Sequence, residues 1–85
     1  MADAMLHIAS AVVKVRPAVQ DSVAQRIAAL AGAEVVAADQ GRIIVVLEAG
    51  CHRDLAGTLD SIAALNEVLS AVLVFEHAEP EGGSP

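Results

Sequence analysis

The residues able to do chemistry are few and scattered. The single cysteine, Cys51, is followed directly by His52. Both fall where a helix is expected to begin, a place that can stabilise a thiolate. A metal centre or an activated thiol needs further ligands or a base at fixed spacing. His7 and His77 lie at opposite ends of the chain, and Cys51 has no CxxC partner and no second cysteine for a disulfide. We therefore expect an incidental thiol and a surface imidazole. Ser10, Ser22, Ser61 and Ser70 lack the neighbouring His/Asp pattern of an activated nucleophile. Asp54 and Asp60 stand six apart in a helical stretch, so they do not share a face. Gly41 and Gly50 are isolated and build no phosphate loop. The sequence predicts no catalytic site, no metal site and no cofactor; this is not an enzyme.

Composition narrows the remaining classes. With 85 residues and 8.7 kDa the chain can bury one small core. Hydrophobic residues make up 55% and aromatics 1%, so the apolar content is aliphatic. Such a chain is too apolar for intrinsic disorder. A formal charge of -6 argues against nucleic acid, which calls for basic patches and stacking aromatics. No Lys or Arg precedes Lys14, unlike a secretory signal. No unbroken apolar run is longer than that from Ile43 to Leu47, which is too short to span a bilayer. The expectation is a soluble cytoplasmic protein with neither membrane nor nucleic acid as partner.

The elements follow from periodicity. Leu6 to Val15 reads as a strand, broken by Arg16-Pro17. Pro17 suits the first turn of a helix, and Val19, Val23, Ile27 and Leu30 fall on one helical stripe that Gly32 terminates. Glu34 to Ala38 is a second strand. Asp39-Gln40-Gly41 is turn chemistry, and Arg42 to Glu48 is a β-branched third strand, so the pair predicts an antiparallel hairpin. Leu55, Leu59, Ile62 and Leu65 mark a second amphipathic helix, for which Asn66 is the expected left-handed terminator. Val68 to Glu76 is the last strand. Residues 1–78 form one domain, and 79–85 (EPEGGSP) are expected to be a disordered acidic tail. Ile27-Ala28-Ala29-Leu30 recurs as Ile62-Ala63-Ala64-Leu65. The order βαββαβ predicts an α+β, ferredoxin-like fold: a four-stranded antiparallel sheet with two helices on one face, strands one and three central.

Two helices cover only one face of such a sheet, and an uncovered face normally reads polar. Here it does not. Side chains alternate along a strand, so the parity holding Ser10, Lys14, Glu48 and Glu76 should be the open one. That parity also holds Ile8, Val12, Ile44, Val46, Val72 and Val74, with Val36 from strand two. These aliphatic side chains would form a patch of roughly several hundred Å², as large as any on a typical monomer. Glu34, Glu48 and Glu76 are expected at its rim, with Lys14 the exception. Periodicity alone leaves two occupants open: a second copy of the chain, giving a sheet-on-sheet homodimer, or an apolar segment carrying positive charge.

Several blocks in order resemble the NapD family. They are Ser10-Ala11-Val12-Val13, Gly32-Ala33-Glu34-Val35, Asp39, then Gly41-Arg42-Ile43-Ile44-Val45-Val46-Leu47-Glu48, and finally Ile62 to Val74, closing with Phe75. The resemblance covers about Ile8 to Phe75. It implies the ferredoxin-like fold and a cytoplasmic chaperone of periplasmic nitrate reductase. Such a chaperone binds the twin-arginine signal peptide of the catalytic subunit, NapA, and delays export until the cofactor is inserted. The family's peptide docks on the sheet as a helix. Carried over, the docking positions are Ile8, Ser10, Val12, Ile44, Val46, Glu48, Val72 and Val74, to which the open parity adds Lys14, Val36 and Glu76. Two positions depart from the family's usual pattern: Ala31, where Pro is frequent, and Glu67, where Gly is frequent. The competing reading is an amino-acid-binding regulatory domain of the ACT or AsnC-effector type, which shares the βαββαβ order. Those domains often carry Gly-Asp after the hairpin turn, and Asp39-Gln40-Gly41-Arg42 does not supply it.

Overall fold

The computed structural model describes residues 5–80. Seven elements follow one another: β1 (Met5–Val15), a 3₁₀ turn (Pro17–Val19), α1 (Gln20–Ala28), β2 (Ala33–Asp39), β3 (Arg42–Ala49), α2 (His52–Ala63) and β4 (Val68–Pro80). The strands form one sheet in the order β2-β3-β1-β4, antiparallel throughout. This is the ferredoxin-like arrangement, with β1 and β3 in the centre.

The core lies between the sheet and the helices. One parity of the central strands is fully buried: Ala9, Ala11 and Val13 from β1, and Ile43, Val45 and Leu47 from β3. Val23 and Ile27 of α1 and Leu55 and Ile62 of α2 close over them. Each is an aliphatic side chain whose full burial stabilises by about 1.5–3 kcal/mol when it is as large as Val or Leu. Val19, Leu30, Leu59 and Leu65 complete the helical stripes and pack at the margin.

The β2–β3 hairpin turns on Gln40 and Gly41, with φ of 54° and 82°. Two positive φ values in a two-residue loop match the right-handed twist of the flanking strands. Gly41 is buried, and its carbonyl accepts the Val15 amide at 2.8 Å while its own amide donates to Gln20 Oε1. A Cβ at Gly41 would collide with the Val15 carbonyl. The turn is therefore locked to the end of β1.

Two expectations need correction. The left-handed residue after α2 is Glu67, with φ of 77°, rather than Asn66. A non-glycine residue there costs roughly 1–2 kcal/mol. The Glu67 carboxylate meets Arg26 at 3.0 Å, and Arg26 also donates to the Asn66 carbonyl at 3.3 Å, so α1 grips this connection. The last strand, too, runs beyond Glu76, to Pro80. Glu79 and Pro80 pair with Leu6 and Met5, because β1 starts early enough to offer its backbone to them. Residues 81–85 lie outside the described residues. Among the described residues, no helix is long and apolar enough to cross a membrane.

Candidate functional site

The face of the sheet turned away from the helices can be written as rows across the strands. Ala37, Ile44, Val12 and Val72 stand side by side, from β2 to β4. The next row is Glu34, Val46, Ser10 and Phe75, and beyond it lie Glu48, Ile8 and His77. In the opposite direction the row is Asp39, Arg42, Lys14 and Ser70. The structure thus brings Ile8, Ser10, Val12, Lys14, Ile44, Val46, Glu48 and Val72 onto one surface. Its middle is aliphatic. Ile8, Val12, Ile44 and Val46 are half-buried, because strands on both sides shield them. The edge strands have a neighbour on one side only. Val72 is accordingly 55% exposed and Val36 51%.

Bulges in the two edge strands redraw the margins. Ser10 pairs with Phe75 and Ala11 with Leu73, so Val74 is an extra residue in β4. A bulge inserts one residue and reverses the parity of everything after it. Val74 and Phe75 therefore both face outward, 58% and 59% exposed. His77 follows, its ring 5.6 Å from that of Phe75. Val36 is the corresponding extra residue in β2, and Ala37 joins the open face behind it. Parity counting missed Phe75, Ala37 and His77. The available signal was the run Val72-Leu73-Val74-Phe75, apolar in both parities.

The same bulge corrects the placement of Glu76. It pairs with Ala9, whose side chain is in the core, so Glu76 points to the helix side. There its Oε2 accepts a hydrogen bond from His52 Nδ1 at 2.8 Å, with His7 Nδ1 at 3.7 Å. The His52 hydrogen bond, helped by His7 and opposed by partial burial, holds the Glu76 carboxyl below its ordinary value. His7 and His52, remote in sequence, meet here as an anchor between the start of α2 and strands β1 and β4. Cys51 is exposed beside this anchor. Among the described residues, no three His, Cys, Asp or Glu side chains are arranged to hold a metal ion.

With Glu76 removed, the open face is charged differently at its two ends. Glu34 and Glu48 flank Val46 and Ile8 at one end, and Glu79 lies beyond them opposite Leu6. At the other end Lys14 and Arg42 stand directly across from each other, with Asp39 beyond Arg42. The open face is thus an aliphatic floor carrying one Phe, with Glu34 and Glu48 at one end and Lys14 and Arg42 at the other.

Comparison with known proteins agrees with this fold. Residues 6–80 match the family model described as NapD protein. The chain is 37% identical over 75 residues to Chaperone NapD of Paracoccus pantotrophus, covering 88% of this chain and 67% of that protein. It is also similar to the solution structure of the E. coli Tat proofreading chaperone protein NapD. That match has a TM-score of 0.79 and 30% identity, and it covers 93% of this chain and 84% of the other.

Proposed function

The chain belongs to the NapD chaperone family, and from that premise we propose that its open sheet face binds the twin-arginine signal peptide of the periplasmic nitrate reductase catalytic subunit, NapA. The observation that carries the reading is the aliphatic face with carboxylates at one end. A signal peptide has a basic n-region followed by an apolar stretch of about 7–15 residues. The aliphatic rows suit the second and the Glu34–Glu48 end suits the first. The E. coli relative's designation as a Tat proofreading chaperone supports the same client class.

The mechanism is occlusion. Apolar burial along Ile8, Val12, Ile44, Val46, Val72, Val74 and Phe75 supplies affinity. Complementary charge assists encounter and orientation more than affinity. Covering the paired arginines in the cytoplasm makes them inaccessible to the export machinery until the peptide dissociates. No covalent step is involved.

Calorimetric titration of the NapA signal peptide into the full chain tests this. Saturable binding with a dissociation constant on the order of micromolar or tighter is expected, worth about 8 kcal/mol or more. Absence of heat and of saturation at tens of micromolar overturns it. A homodimer through the same face is the competing occupant. It would appear as a sheet-face dimer that excess peptide does not dissociate.

A further inference from the structure

Resting on that reading, the layout of charge on the open face has a consequence for the ligand's direction. Lys14 and Arg42 are directly opposite each other in an antiparallel pair, both exposed. Like charges in that position destabilise a sheet. Among the described residues, neither forms an ion pair that offsets this; Asp39 is the cross-strand neighbour of Arg42 but does not approach within bonding distance. At the far end Glu34 and Glu48 are diagonal neighbours across β2 and β3, again without an ion-pair partner. The fold thus carries two repulsive pairs of opposite sign with apolar rows between them.

The spacing of the pairs is informative. Arg42 and Glu48 are six residues apart on β3, roughly 20 Å at about 3.3 Å per residue. A helix covers that distance in about 13 residues. This lies within the length of a signal peptide's apolar stretch, about 7–15 residues. A helix also carries partial positive charge at its N-terminus and partial negative charge at its C-terminus. Both the basic n-region and the dipole therefore favour the same alignment.

We propose that the open face fixes the direction of its peptide at both ends: Glu34 and Glu48 hold the basic N-terminal residues, and Lys14 and Arg42 hold the C-terminal end of the apolar helix. Lys14 and Arg42 form a second recognition element. Its ligand is the cluster of unpaired carbonyls that ends a helix, together with any carboxylate that follows. The like-charge repulsion within each pair is relieved when the peptide is bound. A peptide presented in the opposite direction would place its arginines against Lys14 and Arg42.

The direction is read by nuclear magnetic resonance with the isotope-labelled full chain and two versions of the NapA signal peptide. One version carries a nitroxide ahead of the paired arginines, the other after the apolar stretch. The first is expected to broaden the amides around Glu34, Glu48 and Ile8. The second is expected to broaden those around Lys14, Arg42 and Ser70. A reversed pattern, or equal broadening at both ends by each label, overturns the direction while leaving signal-peptide binding intact. Absence of saturable broadening from either label overturns both. A charge exchange supplies a second reading. Peptides ending in two aspartates are expected to bind more tightly than those ending in two lysines by about fivefold at low salt, the range of exposed ion pairs. Lys14→Glu with Arg42→Glu should invert that ranking, and an unchanged ranking counts against the second recognition element.

Discussion

Ile43 and Ile44 are adjacent in one strand and chemically identical, yet they do different work. Ile43 is completely buried beneath the helices, whereas Ile44 sits half-buried on the opposite face among Val12, Val72 and Ala37. The same contrast holds for Val45 against Val46 and for Val13 against Val12. On the covered face, aliphatic side chains are held by the chain's own helices. On the open face, side chains of the same type remain available to a partner. Hydrophobicity of a strand therefore does not reveal its use; the use depends on what covers each face.

The contrast is tested most severely by placing a charge on either side of one strand. Val45→Asp puts an uncompensated carboxylate in a closed aliphatic core. The expected loss, at least about 4 kcal/mol, approaches the whole stability of a chain this short. The variant should lack a cooperative thermal transition by circular dichroism. Val46→Glu, one residue away, should melt within a few degrees of the parent and lose at least about tenfold in peptide affinity by calorimetry. Unfolding of Val46→Glu would break the comparison, because it would give the open face a share in the core.

Truncation gives a graded version. Ile43→Ala should destabilise by about 2–5 kcal/mol, through lost transfer energy and the cavity left behind. Ile44→Ala leaves no enclosed cavity, so about 1 kcal/mol is expected from its partial burial. Urea midpoints at unchanged slope would measure both. Equal losses would mean that the open face is covered in solution, by a second copy of the chain.

How far these faces could be read from the sequence depends on the regularity of each strand. β1 and β3 pair without a break from His7 to Lys14, so alternation assigns every one of their side chains correctly. The helix stripes were equally legible, since Val23, Ile27, Leu55 and Ile62 recur at the helical period. The edge strands were not. Val74 and Val36 are bulged, and neither carries the Gly that marks many bulges. One unmarked extra residue was enough to send Phe75 outward and Glu76 inward. The left-handed Glu67 was illegible for a similar reason. It is held by Arg26, 41 positions earlier in the chain, and no local pattern encodes that contact.

Phe75 gives a sharper test of the bulge. Phe75 is 59% exposed beside His77, so Phe75→Ala should change stability by less than about 1 kcal/mol. Because the ring is a large side chain on the proposed docking surface, its loss should weaken peptide binding by about tenfold. The opposite result, lost stability with unchanged binding, would restore the unbulged parity.

Glu76→Gln tests the other consequence of that bulge and has the smallest expected effect. Glu76 faces the helix side, so the substitution should leave peptide affinity within about twofold; a larger loss would return the residue to the open face. Its effect on stability should instead depend on pH. The His52 hydrogen bond, with His7 behind it, holds the folded carboxyl below its ordinary value of 4.5. The unfolded chain therefore takes up the proton first as the solution is acidified. The stabilisation is complete above the unfolded value and disappears as pH falls through the lower, folded one. The melting-temperature gap between the parent and Glu76→Gln should therefore narrow as pH falls below 4.5 and close once the folded carboxyl is protonated as well. A gap that persists there would mean that the carboxylate's charge contributes nothing and that Glu76 acts only by filling space between His7 and His52.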